Sequence, residues 1–193
     1  MAHVCPWWFC YAFDNPLRRL VHDPVAMLAP WVRPGATCLD LGCGMGYFTI
    51  GLARLAAPSG RVIAVDLQDE MLERVRRRAT KAGLTGLVQP RRCAAESLGI
   101  ADLMGAVDFA LCFWMLHEVP DMAGFLGQVL AAQKPSGRLL VAEPKFHVSA
   151  PAFDQALGLA QAQGWRVAER PAVWGSHAAL LAPASPAAQA AAA

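Results

Sequence analysis

The sequence predicts an α/β protein: seven strands in a mostly parallel sheet, with helices on both faces. Three observations carry that expectation. Short apolar runs alternate along the chain with stretches whose apolar residues recur at helical spacing. Two of the runs end in an acid, at Asp40 and Asp66, and the first leads directly into alternating glycines at Gly42, Gly44 and Gly46. A strand that is apolar on successive residues is buried on both faces, and such strands belong to parallel sheets whose crossovers are helices.

Size and charge bound the rest. A chain of 193 residues fits one domain and buries a full core without disulfides or a structural metal. A net charge of +2 gives no reason to expect nucleic acid as a partner. The basic cluster Arg74, Arg76, Arg77, Arg78 and Lys81 falls on a predicted helix with apolar Met71, Leu72, Val75 and Ala79 on its other side, which is the pattern of a solvated face. The six cysteines (Cys5, Cys10, Cys38, Cys43, Cys93, Cys112) lack the spacing of a secreted disulfide framework. No leader pattern and no bilayer-length apolar run is present, so the expectation is a soluble cytoplasmic protein without a membrane partner, monomeric or homodimeric.

Residues 1–36 precede the first strand. They open on an aromatic cluster with Trp7, Trp8, Phe9 and Tyr11, too apolar for a free tail, and carry two helix-start signals, Asn15-Pro16 and Asp23-Pro24. His3, Cys5 and Cys10 lie in this arm but lack the paired spacing of a zinc site, and no metal is expected. The first strand, Thr37 to Leu41, then meets the glycines, whose tolerance of positive φ lets backbone approach a nucleoside-bearing ligand. A dinucleotide fingerprint places its third glycine one residue later, where this chain has Tyr47.

A helix from Gly46 ends near Pro58-Ser59-Gly60, and Arg61 to Asp66 forms the second strand. Asp66 stands at its carboxyl end, where ligands of open α/β sheets bind and where a carboxylate accepts from two ribose hydroxyls; its plainer role is to cap the helix that follows. A third, weaker strand is predicted over Leu87 to Arg91, a fourth over Val107 to Phe113 and a fifth over Arg138 to Ala142 after the turn Lys134-Pro135-Ser136-Gly137. A helix from about Ala152 to Gln163, a strand near Trp165 to Arg170 and another near His177 to Leu181 complete the count. The Ala/Pro segment 183–193 has the composition of a disordered tail.

The glycine turn, the downstream Asp66 and the segment Leu116-His117-Glu118-Val119-Pro120-Asp121 after the fourth strand, in this order, resemble class I S-adenosylmethionine (SAM)-dependent methyltransferases, in particular the small-molecule type of quinone biosynthesis. The resemblance implies a Rossmann-like fold with an antiparallel last strand, SAM as cofactor, and a pre-strand segment that covers the pocket. The domains would be a lid at 1–36, a SAM-binding domain at 37–182 and the tail. Cofactor contacts would come from Asp40, Gly42, Gly44, Gly46, Asp66, Leu67, Ala95, Glu96 and Phe113. Many relatives carry an acid at the position of Ala94 for the adenine amino group; here Ala95 offers only backbone, and Glu96 either substitutes or begins a helix.

Methyl transfer is an in-line displacement, so alignment and exclusion of water do most of the work, and a base is needed only for acceptors that must lose a proton early. His117, Glu118 and His147 are the candidate catalytic groups. Trp7, Tyr11, Tyr47, Trp114 and Glu143 are candidate contacts to a small, partly apolar acceptor, and aromatic faces such as Trp114 and Tyr47 suit a sulfonium. Plainer roles stand beside these: a loop hydrogen bond for His117, packing for Trp114, a surface pair for Glu143 with Lys145. The competing functions are an NAD-type oxidoreductase, a non-catalytic SAM-binding module and a protein methyltransferase.

Overall fold

The structure is a computed structural model that describes residues 18 and 20–184. The first helix-start signal and the aromatic cluster of the arm therefore lie outside the described residues, as does the chain beyond 184. The second signal produces α1 (Pro24–Leu28), where the Asp23 carboxylate accepts from Val25 N and Ala26 N and Pro24 occupies the first turn.

The strands are β1 (Thr37–Leu41), β2 (Arg61–Asp66), β3 (Val88–Arg92), β4 (Val107–Phe113), β5 (Gln133–Pro144), β6 (Trp165–Glu169) and β7 (Ser176–Pro183). They form one sheet in the order β3-β2-β1-β4-β5-β7-β6. The first five pair in parallel, and β7 inserts antiparallel to both β5 and β6. The helices between them are α2 (Tyr47–Ala56), α3 (Asp69–Ala82), α4 (Met122–Ala132) and α5 (Ala150–Ala162).

Alternate residues of each strand feed two cores. Cys38, Val62, Ala64 and Phe109 face Phe48, Leu52, Leu72 and Val75 of α2 and α3, whereas Leu39, Ile63, Ala110 and Leu139 face Leu126, Val129, Phe153 and Leu157 of α4 and α5. The basic residues of α3 stay on the solvent side, where Arg76 and Arg77 pair with Glu73.

Several boundaries differ from the sequence expectation; β7 runs from Ser176 to Pro183 and so takes in Pro183, which composition had assigned to the tail. β3 begins at Val88, one residue late. β5 begins at Gln133, because Val107 pairs with Gln133 before Phe109 pairs with Arg138, so the turn residues Lys134 to Gly137 bulge out of a strand already begun. What positions the site is the reversal of strand order between β1 and β4. Neighbours in the sheet, they send their following loops in opposite directions and open a crevice at their carboxyl ends.

Candidate cofactor and acceptor pocket

The glycine turn leaves β1 with Gly42, Gly44 and Gly46 at φ of +64°, +51° and +83°, conformations that a Cβ strains. Their surroundings differ. A Cβ on Gly42 would meet Met115 Cγ at 2.8 Å, and one on Gly46 would meet Val75 Cγ2 at 3.0 Å, so these two glycines permit packing within the protein. A Cβ on Gly44 would meet no atom within 4 Å. Gly44 is thus the glycine whose bare face is turned to open space.

Asp66 ties this turn to β2: its Oδ2 accepts from Gly44 N at 2.9 Å and its Oδ1 from Gln68 N at 3.0 Å. The helix N-cap is Gln68 rather than Asp66. Each carboxylate oxygen keeps acceptor capacity toward the cavity, which Asp66 lines. Burial raises its pKa above the ordinary carboxylate value, against the pull of those N–H groups. Asp40 is deeper still. Thr49 Oγ1 of α2 donates to its Oδ2 at 2.5 Å, and burial, with Asp66 nearby, pushes its pKa up to about 7.

Across the crevice β4 ends in Phe113 and Trp114. Trp114 sits at φ +59°, the only non-glycine residue with positive φ among those described. Its N–H bonds Ala142 O at 2.8 Å and its indole Nε1 donates to Ser176 Oγ at 2.9 Å, which hold the strained turn in place. Tyr47, Phe48, Phe113 and Trp114 form an aromatic wall, and the Arg18 guanidinium lies 4.6 Å from the Tyr47 ring centre and within 5.6 Å of the other three. Aromatic faces attract a cation, and Arg18 is the cation that covers them here. His22 is buried against Phe113 and Trp114, and burial lowers its pKa.

Glu143, at the end of β5, is buried rather than part of a surface pair with Lys145. Its Oε1 accepts from Leu116 N at 2.8 Å, and its Oε2 bonds His117 Nδ1. That bond raises the His117 pKa above the ordinary value despite partial burial. With Nδ1–H given to a carboxylate, the lone pair left on the ring is at Nε2. The His147 ring stands 4.7 Å from that of His117, centre to centre.

These parts enclose a cavity of about 430 Å³. Asp40, Gly42, Gly44, Asp66, Leu67, Ala95, Phe113, Tyr47, Trp114, His117, Glu118 and His147 all line it. Gly46 lies off the lining, and Glu96 is exposed, outside it, its backbone O accepting from Gln128. Glu143 stands behind His117. Trp7, Tyr11, His3, Cys5 and Cys10 are outside the described residues. Sequence reasoning passed over Arg18, Phe48 and Thr49 as site residues. Met115 and Phe146 carried a positional signal only, within the segments that leave β4 and β5.

A family model described as methyltransferase domain matches residues 33–174, which takes in the glycine turn, Asp66, the His117 segment and Glu143. The chain belongs to the methyltransferase domain family. It is 38% identical over 112 residues to the ubiquinone/menaquinone biosynthesis C-methyltransferase of Pasteurella multocida, covering 58% of this chain and 41% of that protein. It is 31% identical over 136 residues to the ubiquinone biosynthesis O-methyltransferase of Xanthomonas axonopodis pv. citri, covering 70% of this chain and 54% of that one. The chain thus spans about half the length of these curated relatives. The crystal structure of a SAM-dependent methyltransferase from Aquifex aeolicus shares the fold, with a TM-score of 0.81 over 93% of this chain and 98% of that one, at 23% identity.

This membership, with the fold shared with a SAM-dependent methyltransferase, favours SAM over a nicotinamide as the cofactor against which to test the residues. The residues fit the cofactor. Gly44 leaves the space that a Cβ would fill, Asp66 offers a carboxylate for paired hydroxyls, and the apolar Leu67, Ala95 and Leu98 line the cavity on that side. Two buried acids and the aromatic wall suit a positive sulfur. Among the described residues, no helix is long and apolar enough to cross a membrane.

Proposed function

We propose that the protein transfers a methyl group from SAM to an ionisable O, N, S or C atom of a small, partly apolar acceptor, with His117 as general base and Glu143 as the group that orients it. The observation that carries this reading is the buried Glu143 carboxylate bonded to His117 Nδ1 on the wall of the cofactor cavity. Bound SAM supplies an electrophilic methyl on a sulfonium. The chain's residues hold and align: Gly44 and Asp66 the nucleoside end, with Asp40, Gly42, Leu67, Ala95 and Phe113 around it, and Tyr47 and Trp114 the space for the acceptor. His117 Nε2 takes the acceptor's proton as the new bond to carbon forms and the electron pair of the broken bond stays on sulfur.

The relatives named for C- and O-methylation support a small-molecule acceptor, and a cytoplasmic location is consistent with free Cys38, Cys43, Cys93 and Cys112. We take residues 37–182 as the catalytic domain and the preceding segment as its cover. The test is release of S-adenosylhomocysteine from SAM across a panel of phenols, enols, thiols and amines, followed by a pH profile on the best acceptor. Because Glu143 raises the His117 pKa, the rate should climb with pH through a value above the ordinary 6.5 as Nε2 loses its proton. Glu143→Gln should move that limb to lower pH and reduce the plateau by about 10- to 100-fold. A limb that stays in place would remove His117 from the role; binding of SAM without turnover across the panel would favour a non-catalytic module.

A further inference from the structure

We propose that His147 is a proton carrier that takes the acceptor's proton from His117 and delivers it to solvent. The inference rests on the reading of His117 as the base and adds a group that the reading does not require.

After each turnover the base must be restored. One proton leaves the acceptor per methyl transferred, and His117 must discard it before it acts again. Its Nδ1 is committed to Glu143, so the proton arrives and departs at Nε2. The carboxylate that makes His117 a stronger base also makes it slower to release the proton. Around His117 stand Glu143 from β5, Glu118 from its own turn and His147 from the turn after β5. Glu143 already holds the ring from below, and Glu118 sits on the same short turn. His147 is placed differently. Its ring lies 4.7 Å from that of His117, tilted by 60°, and the residue both lines the cavity and is exposed. No hydrogen bond joins the two rings, so the proton passes between them over one water.

The turn that carries His147 is held at both ends. His147 N and Val148 N both donate to Pro144 O, at 3.0 and 2.8 Å, while Lys145 N donates to Gly175 O at 2.9 Å and fastens the turn to the loop before β7. The backbone that carries the imidazole is therefore held in place at the mouth of the cavity. The step balances without a further reactant: His117 Nε2–H gives its proton to a neutral His147 nitrogen, and His147 gives one to water or buffer.

The experiment compares the full chain with His147→Gln and His117→Gln at fixed pH and ionic strength while buffer concentration rises, using two buffers, imidazole and one too bulky to enter the cavity. For His147→Gln the expected result is a kcat lowered at least about tenfold at low buffer, a nearly unchanged KM, and recovery toward wild type with either buffer. Binding of S-adenosylhomocysteine equal to wild type checks that the variant is folded. A wild-type kcat at the lowest buffer concentration, or a loss that no buffer restores, overturns the proposal. If His117→Gln is inactive while His147→Gln behaves as wild type, the relay fails and the base stands; if His117→Gln retains full turnover, the base reading itself fails. A second readout needs no acceptor: exchange of the His117 ring proton with solvent, followed by NMR, should slow about tenfold in His147→Gln, and an unchanged rate overturns the relay.

Discussion

Gly44 and Gly42 look alike in the sequence and differ in what they face. Alanine at either position is strained by positive φ, at a cost of about 1–2 kcal/mol. Gly42→Ala also drives a Cβ to 2.8 Å from Met115, whereas Gly44→Ala meets nothing in the protein. Gly42→Ala should therefore lose more stability in urea titration, and Gly44→Ala should lose more affinity for S-adenosylhomocysteine in calorimetry. The reverse order would mean that Gly44 is not the ligand-facing glycine. Asp40 yields a prediction in pH. Its folded pKa of about 7 lies above the ordinary 3.8, so the native state favours the protonated acid. The associated stability is fully present below pH 3.8, and it is lost as pH rises toward and through 7. Asp40→Asn should flatten that decline, becoming more stable than wild type without ligand above pH 7 by a few kcal/mol at most. The same change should weaken SAM binding there, because the ionised acid that costs stability in the free protein favours a cation. Stability curves that stay parallel across this range would show that Asp40 ionises freely.

At the scale of elements, β4 and the turn after it set the acceptor side of the cavity. Trp114 holds positive φ because the Ser176 hydroxyl and Ala142 carbonyl fix the indole and the backbone. Ser176→Ala leaves a half-buried indole N–H without that acceptor and should cost about 1–2 kcal/mol in chemical denaturation, with weaker cofactor binding as the wall shifts. No loss in either measurement would mean that the turn is held by its backbone alone. This region also shows what was legible in the sequence. The β1, β2 and β4 runs announce themselves, because strands covered on both faces are apolar on successive residues. β5 extended further than expected because the pairing of Val107 with Gln133 is a long-range property, invisible in the turn residues themselves. His117 and Glu143 were both visible as polar groups at strand ends. Their pairing was not, since it follows from β4 and β5 being parallel neighbours, the two residues standing 26 positions apart in the sequence. Arg18 had no signal at all: an arginine in the Arg18-Arg19 pair before a short helix declares nothing until the aromatic wall is assembled around it.

For the whole molecule, the reversal of strand order places the glycine turn, Asp66, Tyr47 and Phe48 on one side of a crevice and Phe113 and Trp114 with the His117 and Glu143 pair on the other. Neither half makes a pocket alone. A ligand that spans the crevice should therefore bridge α2, α3 and the turns after β4 and β5 in the native state only, and its binding adds directly to folding stability. At a concentration one hundred times its Kd, such a ligand contributes about 2.7 kcal/mol. For a chain of this size each kcal/mol moves Tm by about 2–4 °C, so SAM or S-adenosylhomocysteine should raise Tm by about 5–10 °C. NAD, whose pyrophosphate finds Tyr47 where the dinucleotide fingerprint has its third glycine, should raise Tm no more than adenosine alone does. Adenosine alone, which reaches the Asp66 side but not the wall, should give a smaller rise than S-adenosylhomocysteine even when both are supplied at the same multiple of the S-adenosylhomocysteine Kd. Equal shifts for adenosine and S-adenosylhomocysteine under those conditions would show that the aromatic side contributes no binding energy, and would confine the cofactor to the glycine turn and Asp66.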